Sequence, residues 1–152
     1  MKWKEQFLGD WEYSRKDTIK FIETVPEDKL GFSPHKDWGS IGRQLRHMAD
    51  VQECYIKAID TKKVTFQNKR KDFSMETDKQ KLIDYMKKLD KQLKEKIKKL
   101  SENDLLTKVD WEEVGNPSIA VMLNYMKDHE IYHQGILQVY ASLAGFPTPR
   151  FF

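Results

Sequence analysis

Apolar residues return at intervals of three and four through four long stretches of this chain, a rhythm that fits the turn of a helix and not the alternation of a half-buried strand. The first stretch carries Trp3, Phe7, Trp11, Thr18, Phe21 and Ile22 and stops at Val25-Pro26, because proline disfavours helix in the residue before it. In the second, Ser40 can cap a helix whose stripe is Ile41, Leu45, Met48, Val51 or Gln52, Tyr55 and Ile59. The third opens on Thr77-Asp-Lys-Gln80, a capping-box pattern, and continues with Leu82, Tyr85, Met86, Leu89, Leu93, Ile97 and Leu100. The fourth starts at Asn116-Pro117, a cap followed by proline at the first helical position. Its face runs Ile119, Met122, Met126, Ile136 or Leu137, Tyr140 and Leu143, and Gly145 and Pro147 end it. Helices are therefore expected near residues 3–24, 41–62, 77–100 and 117–144, with no sheet of consequence.

The connection from about Val64 to Met75 is longer than a tight turn between antiparallel neighbours needs, so it is expected to cross the bundle and leave helices two and three parallel. The fold class is all-α: a four-helix bundle with one long crossover between helices two and three. A length of 152 residues fits one domain with its own core. Only 7 glycines and 5 prolines, with 39% hydrophobic residues, suit such a bundle better than a sandwich or a disordered chain.

Charge excludes more than it suggests. The net charge of +3 is too small to argue for a nucleic-acid partner. Nine lysines lie between Lys79 and Lys99, but they alternate with Asp84, Asp90 and Glu95 opposite the apolar seam and read as a solvated helix face. The first residues lack the apolar core of a signal peptide, and no stretch approaches a membrane span, so the expected compartment is the cytoplasm. Cys54 is the only cysteine, which rules out an intrachain disulfide.

Chemistry concentrates in the histidines. His129 and His133 are one turn apart and continue the stripe through Met122 and Met126, so both imidazoles should face the bundle interior. Two imidazoles so placed can reach one ion, and a third ligand is then required. His47 lies on the second helix near Leu45, Met48 and Val51, and bundles build metal sites from inward side chains on facing helices. The plainer alternative is that each is a hydrogen-bonded core histidine, or that the pair lines a polar cavity. His35, in a proline-flanked loop, reads as an ordinary surface histidine.

Residues 129–133 also match the H-E-x-x-H pattern of zinc metalloproteases. The extended form fails, since Ile136 and Val139 stand where glycine and a further histidine are needed. From Gln134 to Phe152 there is no Asp, Glu or His to complete any other such site. The match is read as accidental with respect to proteolysis. Glu130 is still a candidate to orient an imidazole or take a proton from bound water, against the alternative of an exposed surface glutamate.

The chain resembles the DinB family, including its YfiT-like relatives. The likeness rests on Trp38-Gly-Ser-Ile-Gly-Arg-Gln-Leu-Arg-His47-Met-Ala-Asp, on His129-Glu-Ile-Tyr-His133-Gln-Gly-Ile-Leu, and on the Gly-Phe-Pro ending at Gly145 to Pro147. It implies a single DinB-like domain over residues 1–152, an up-down-down-up bundle and a homodimer. It also implies His47, His129 and His133 as metal ligands, with zinc or nickel as the ion and water in the open positions. Many members carry another histidine beside the last ligand, where this chain has Tyr132 and Gln134. Some relatives transfer or isomerise with low-molecular-weight thiols. A metal-dependent thiol S-transferase acting on a small-molecule substrate is the first expectation. A noncatalytic metal-binding stress-response protein, or a metal-dependent hydrolase, is the alternative.

Three further expectations are testable on the structure. Cys54, seven residues after His47, is expected to be a small buried hydrophobe although it shares that face. Arg43 and Arg46 flank His47 and either receive an acidic substrate or form salt bridges. An aromatic content of 12%, including Trp3, Trp11 and Phe151-Phe152, exceeds what one small core needs and supports the homodimer.

Overall fold

The computed structural model describes residues 2–67 and 72–149. Among them are four long helices, α1 (Trp3–Thr24), α2 (Ile41–Thr61), α3 (Lys79–Lys99) and α5 (Ile119–Ala144), a one-turn helix α4 (Glu102–Leu106), and two 3-10 turns at Glu27–Lys29 and Phe73–Glu76. No strand occurs among the described residues, only isolated bridges such as Lys63 with Asp110. None of the described helices is long and apolar enough to cross a membrane.

Contacts between helices fix their directions. Arg46 meets Glu76, Gln52 meets Asp90 and Asp60 meets Lys96, so α2 and α3 run parallel. Trp11 meets Asp90, Glu12 meets Lys94 and Val25 meets Lys79, so α1 opposes α3. Asp10 meets Lys127, Ser14 meets Gln134 and Phe21 meets Phe146, so α1 and α5 are parallel. The result is an up-down-down-up bundle in which α2 packs between α3 and α5. Parallel neighbours α2 and α3 need the long crossover, and its second half docks on α2 at Gly42. There a Cβ would lie 2.0 Å from the Glu76 carbonyl oxygen, so only glycine allows the approach.

The core is the union of the four stripes: Phe7, Phe21, Ile41, Leu45, Met48, Leu82, Met86, Leu93, Met122 and Leu137 are among its fully enclosed members. Helix ends follow local hydrogen bonding. Ser40 caps α2, its hydroxyl accepting from the Arg43 amide at 3.1 Å. Two expected starts are corrected. The cap of α3 is Asp78, not Thr77, because its carboxylate accepts the Lys81 amide at 2.9 Å. The cap of α5 is Ser118, so Pro117 lies outside the helix and its carbonyl accepts the Val109 amide instead. Helix α4 was not expected. Ser101 and Asp104 form a reciprocal capping box that starts it, and Leu105 buries it against the bundle.

Trp11 keeps its expected place on the buried stripe of α1 and is corrected only as an aromatic left over for a partner. It is 2% exposed, with its indole nitrogen donating to Asp90 at 2.9 Å, so it belongs to this chain's own core and not to a surface left for a partner. Trp3 stacks on Phe7 with ring centroids 5.0 Å apart. Phe151-Phe152 lie outside the described residues.

Candidate metal centre

Helix α2 places His47 one turn after Arg43 and immediately before the buried Met48, while α5 places His129 and His133 below Met126. Because α2 and α5 pack against each other, the three imidazoles meet. The Nε2 of His47 is 3.2 Å from that of His129, and the Nε2 of His133 is 3.1 Å from the same atom. One ligand atom from each lies within 4.8 Å of the others, and no other His, Cys, Asp or Glu among the described residues joins the group.

These separations fit a shared ion. Nitrogens at about 2.0–2.1 Å from one metal lie about 2.9 Å apart at right angles and about 3.4 Å apart at tetrahedral angles. The observed spacings fall between. The chemistry of the donors agrees: burial pushes the His133 imidazole below its ordinary range, which keeps it neutral and able to donate a lone pair. The three residues could therefore hold a divalent metal ion.

Beside the cluster lies a cavity of about 430 Å³ lined by Gly39, Arg43, Gln44, Arg46, His47, Asp50, Phe66, Gln67 and His133. Phe66 is held there by edge-on contacts with Tyr55 and Trp111 at 5.5 and 6.2 Å. The two arginines differ. Arg46 is buried and committed, its guanidinium donating to Asp50 at 2.5 Å and Glu76 at 2.8 Å. Arg43 is exposed and has no ion pair among the described residues.

Glu130 is not an exposed surface glutamate. It is 1% exposed and turned toward α1, where the Thr18 hydroxyl donates to Oε1 at 2.6 Å and Arg15 donates to Oε2 at 3.3 Å. Burial raises its pKa, against the opposing pull of Arg15 and of the Thr18 hydrogen bond. Both of its oxygens are thus engaged from α1. Cys54 is buried, as expected of a small hydrophobe, and stays outside the histidine group. His35 is half exposed and 3.5 Å from Asp37 in its loop.

Sequence reasoning missed Arg15, 3% exposed inside the bundle with Asp90 at 3.6 Å and Gln52 at 2.8 Å. A signal was present. Arg15 falls four residues after Trp11 and three before Thr18, on the stripe that Trp11 and Thr18 themselves define.

Comparison with known proteins agrees with this architecture. The sequence model of the DinB family matches residues 1–151. No curated protein matches. A DinB-like protein from Bacillus cereus ATCC 10987 superposes with a TM-score of 0.80 at 20% identity, covering 95% of each chain. A second, the DinB-like protein YjoA from Bacillus subtilis, gives 0.75 at 20% identity over 95% of this chain and 96% of that one.

Proposed function

The chain belongs to the DinB family, and on that premise we propose that it is a metal-dependent enzyme of the thiol S-transferase type, with His47, His129 and His133 as the protein's metal ligands. The observation that carries this reading is the convergence of the three Nε2 atoms at 3.1 and 3.2 Å, with His47 and His133 lining the cavity beside them. Three neutral nitrogens leave coordination positions for other molecules, which suits a reactive site better than a closed structural one. A bound zinc or nickel ion would supply Lewis acidity, lowering the pKa of a low-molecular-weight thiol to give a nucleophile at neutral pH.

The chain's own residues do the rest. His47 and His133 line the cavity and define where a sulfur can approach. Arg43 and Gln44 offer polar contacts to a small-molecule substrate, whereas the charge of Arg46 is already balanced by Asp50 and Glu76. The thiol sulfur forms the new bond to the electrophilic atom of the second substrate, the bond to the leaving group breaks, and the thiol proton passes to solvent.

The cavity favours an enzyme over a noncatalytic metal-binding stress-response protein, whose ion would be capped by protein. A metal-dependent hydrolase would use the same ligands. The test is metal analysis of protein purified without an affinity tag, followed by thiol conjugation of a reactive electrophile and, separately, ester hydrolysis. Near-stoichiometric metal with metal-dependent conjugation supports the proposal. Metal with hydrolysis alone would replace transfer by hydrolysis, and metal with neither activity would leave the noncatalytic reading.

A further inference from the structure

In an α-helix each residue is turned about 100° from the one before it, so a residue that follows a ligand faces a different neighbour. In α5 the residues that follow the two ligands are Glu130 and Gln134. Both are bonded to the same side chain of α1. The Thr18 hydroxyl donates to Glu130 at 2.6 Å and accepts from the Gln134 amide at 3.0 Å, and that amide also donates to the Ser14 carbonyl at 2.9 Å. With His129 and His133 directed at α2 and the next residue of each pinned to α1, rotation of α5 about its own axis is fixed.

A second tie reaches α2. Nη2 of the buried Arg15 donates to Gln52 at 2.8 Å, five residues after His47, and to Glu130 at 3.3 Å, one residue after His129. One guanidinium from α1 therefore touches both helices that carry the histidines. Asp90 of α3 completes the group, accepting from Gln52 and from the Trp11 indole, each at 2.9 Å. A buried ionic network of this kind gains little stability over apolar side chains of the same volume, but its directional bonds can select one rotation and register.

We propose that Thr18 and Arg15 are positioning residues for the three-histidine centre: from outside the coordination sphere they set the rotation of α5 and its spacing from α2. This rests on the metal-centre reading above. It also gives Gln134, the residue after the last ligand, a structural task.

The test titrates cobalt(II) into tag-free protein and records both the dissociation constant and the visible d–d absorption, which reports coordination geometry. The variants are Thr18→Val, which is close to isosteric and leaves Glu130 paired with Arg15, and Arg15→Lys, which keeps the charge and loses the fork. Leu93→Ala, in the α3 core and outside the network, is the control for lost stability alone. Both network variants should keep the helical signal, bind cobalt at least about tenfold more weakly, and show an altered d–d spectrum. Leu93→Ala should melt at lower temperature yet bind with wild-type affinity and spectrum. Should Arg15→Lys fail to fold, Thr18→Val decides alone. Wild-type affinity and spectrum in the folded network variants would overturn the proposal, as would equal weakening in Leu93→Ala. Failure of the wild-type protein to bind cobalt would instead overturn the three-histidine reading.

Discussion

Nε2 of His47 lies 3.2 Å from Nε2 of His129, although 82 residues separate them in the chain. An imidazole nitrogen pair at that distance can share one proton, and His129 has a second such neighbour in His133 at 3.1 Å. Converging lone pairs repel unless protons or a cation lie between them.

That arrangement has a pH dependence. Burial holds the folded His133 imidazole below the ordinary value of 6.5, so the unfolded chain binds a proton there more readily than the folded one. The stability this contributes is present above pH 6.5 and is lost as pH falls through the depressed folded value. Metal affinity moves the same way, because protons compete for the ligand nitrogens. Urea denaturation of the apo protein between pH 7 and 5 should show a falling midpoint, and His133→Gln should flatten part of that slope. An unchanged slope in the variant would contradict the assignment.

Gly42→Ala should cost about 1–3 kcal/mol. The added methyl would sit 2.0 Å from the Glu76 carbonyl oxygen, so the 3-10 turn of the crossover must move off α2. Equilibrium denaturation measures the loss, and Gly9→Ala, whose Cβ would meet nothing within 4 Å, is the matched control. Equal stability of the two variants would show that the crossover does not dock as described.

The homodimer expected from the sequence is proposed to use the outer face of α5. Val121, Tyr125, Tyr132, Val139 and Leu143 are all exposed and fall within about 40° of one another around the helix axis. Asp128 interrupts this face near its middle, but from residue 131 to 149, the part that holds Tyr132, Val139 and Leu143, there is no Asp, Glu, Lys or Arg, and such an uncharged stretch can pair with its own copy about a two-fold axis. Sedimentation at micromolar concentration should show a dimer for the wild type and a monomer for Tyr132→Glu with Val139→Glu. A monomeric wild type would contradict the proposal.

The long helices were legible because each buries one stripe, and a stripe is periodic in sequence. Ile41, Leu45 and Met48 announced α2 as plainly as Leu89, Leu93 and Ile97 announced α3. The convergence of His47 on His129 was legible in part for the same reason, since His129 and His133 continue an apolar stripe, while His47 was placed only by its nearness to Leu45, Met48 and Val51 and by the need for a third ligand. Less visible were features that depend on a partner from another helix. Glu130 and Arg15 are charged, and their bonds to one another and to Thr18, Gln52 and Asp90 on other helices make burial tolerable. Helix α4 is too short for a period to register, although Ser101 and Asp104 carried its capping signature. At Asn116-Pro117-Ser118 several residues could cap α5, and the choice of Ser118 follows from the Pro117 carbonyl being taken by the Val109 amide.

The most direct measurement is metal content and affinity of tag-free wild-type protein beside His47→Ala. His129 and His133 share α5, so removing His47 takes away the only ligand from α2 and leaves a two-histidine site. With an apolar core spread over all four long helices, the variant should keep its helical signal with only a modest fall in melting temperature. Metal should drop from near one equivalent to a small fraction, with any thiol-transfer activity lost alongside it, while His35→Ala stays like the wild type. Wild-type stoichiometry and affinity in His47→Ala would contradict the three-histidine centre and the function built upon it.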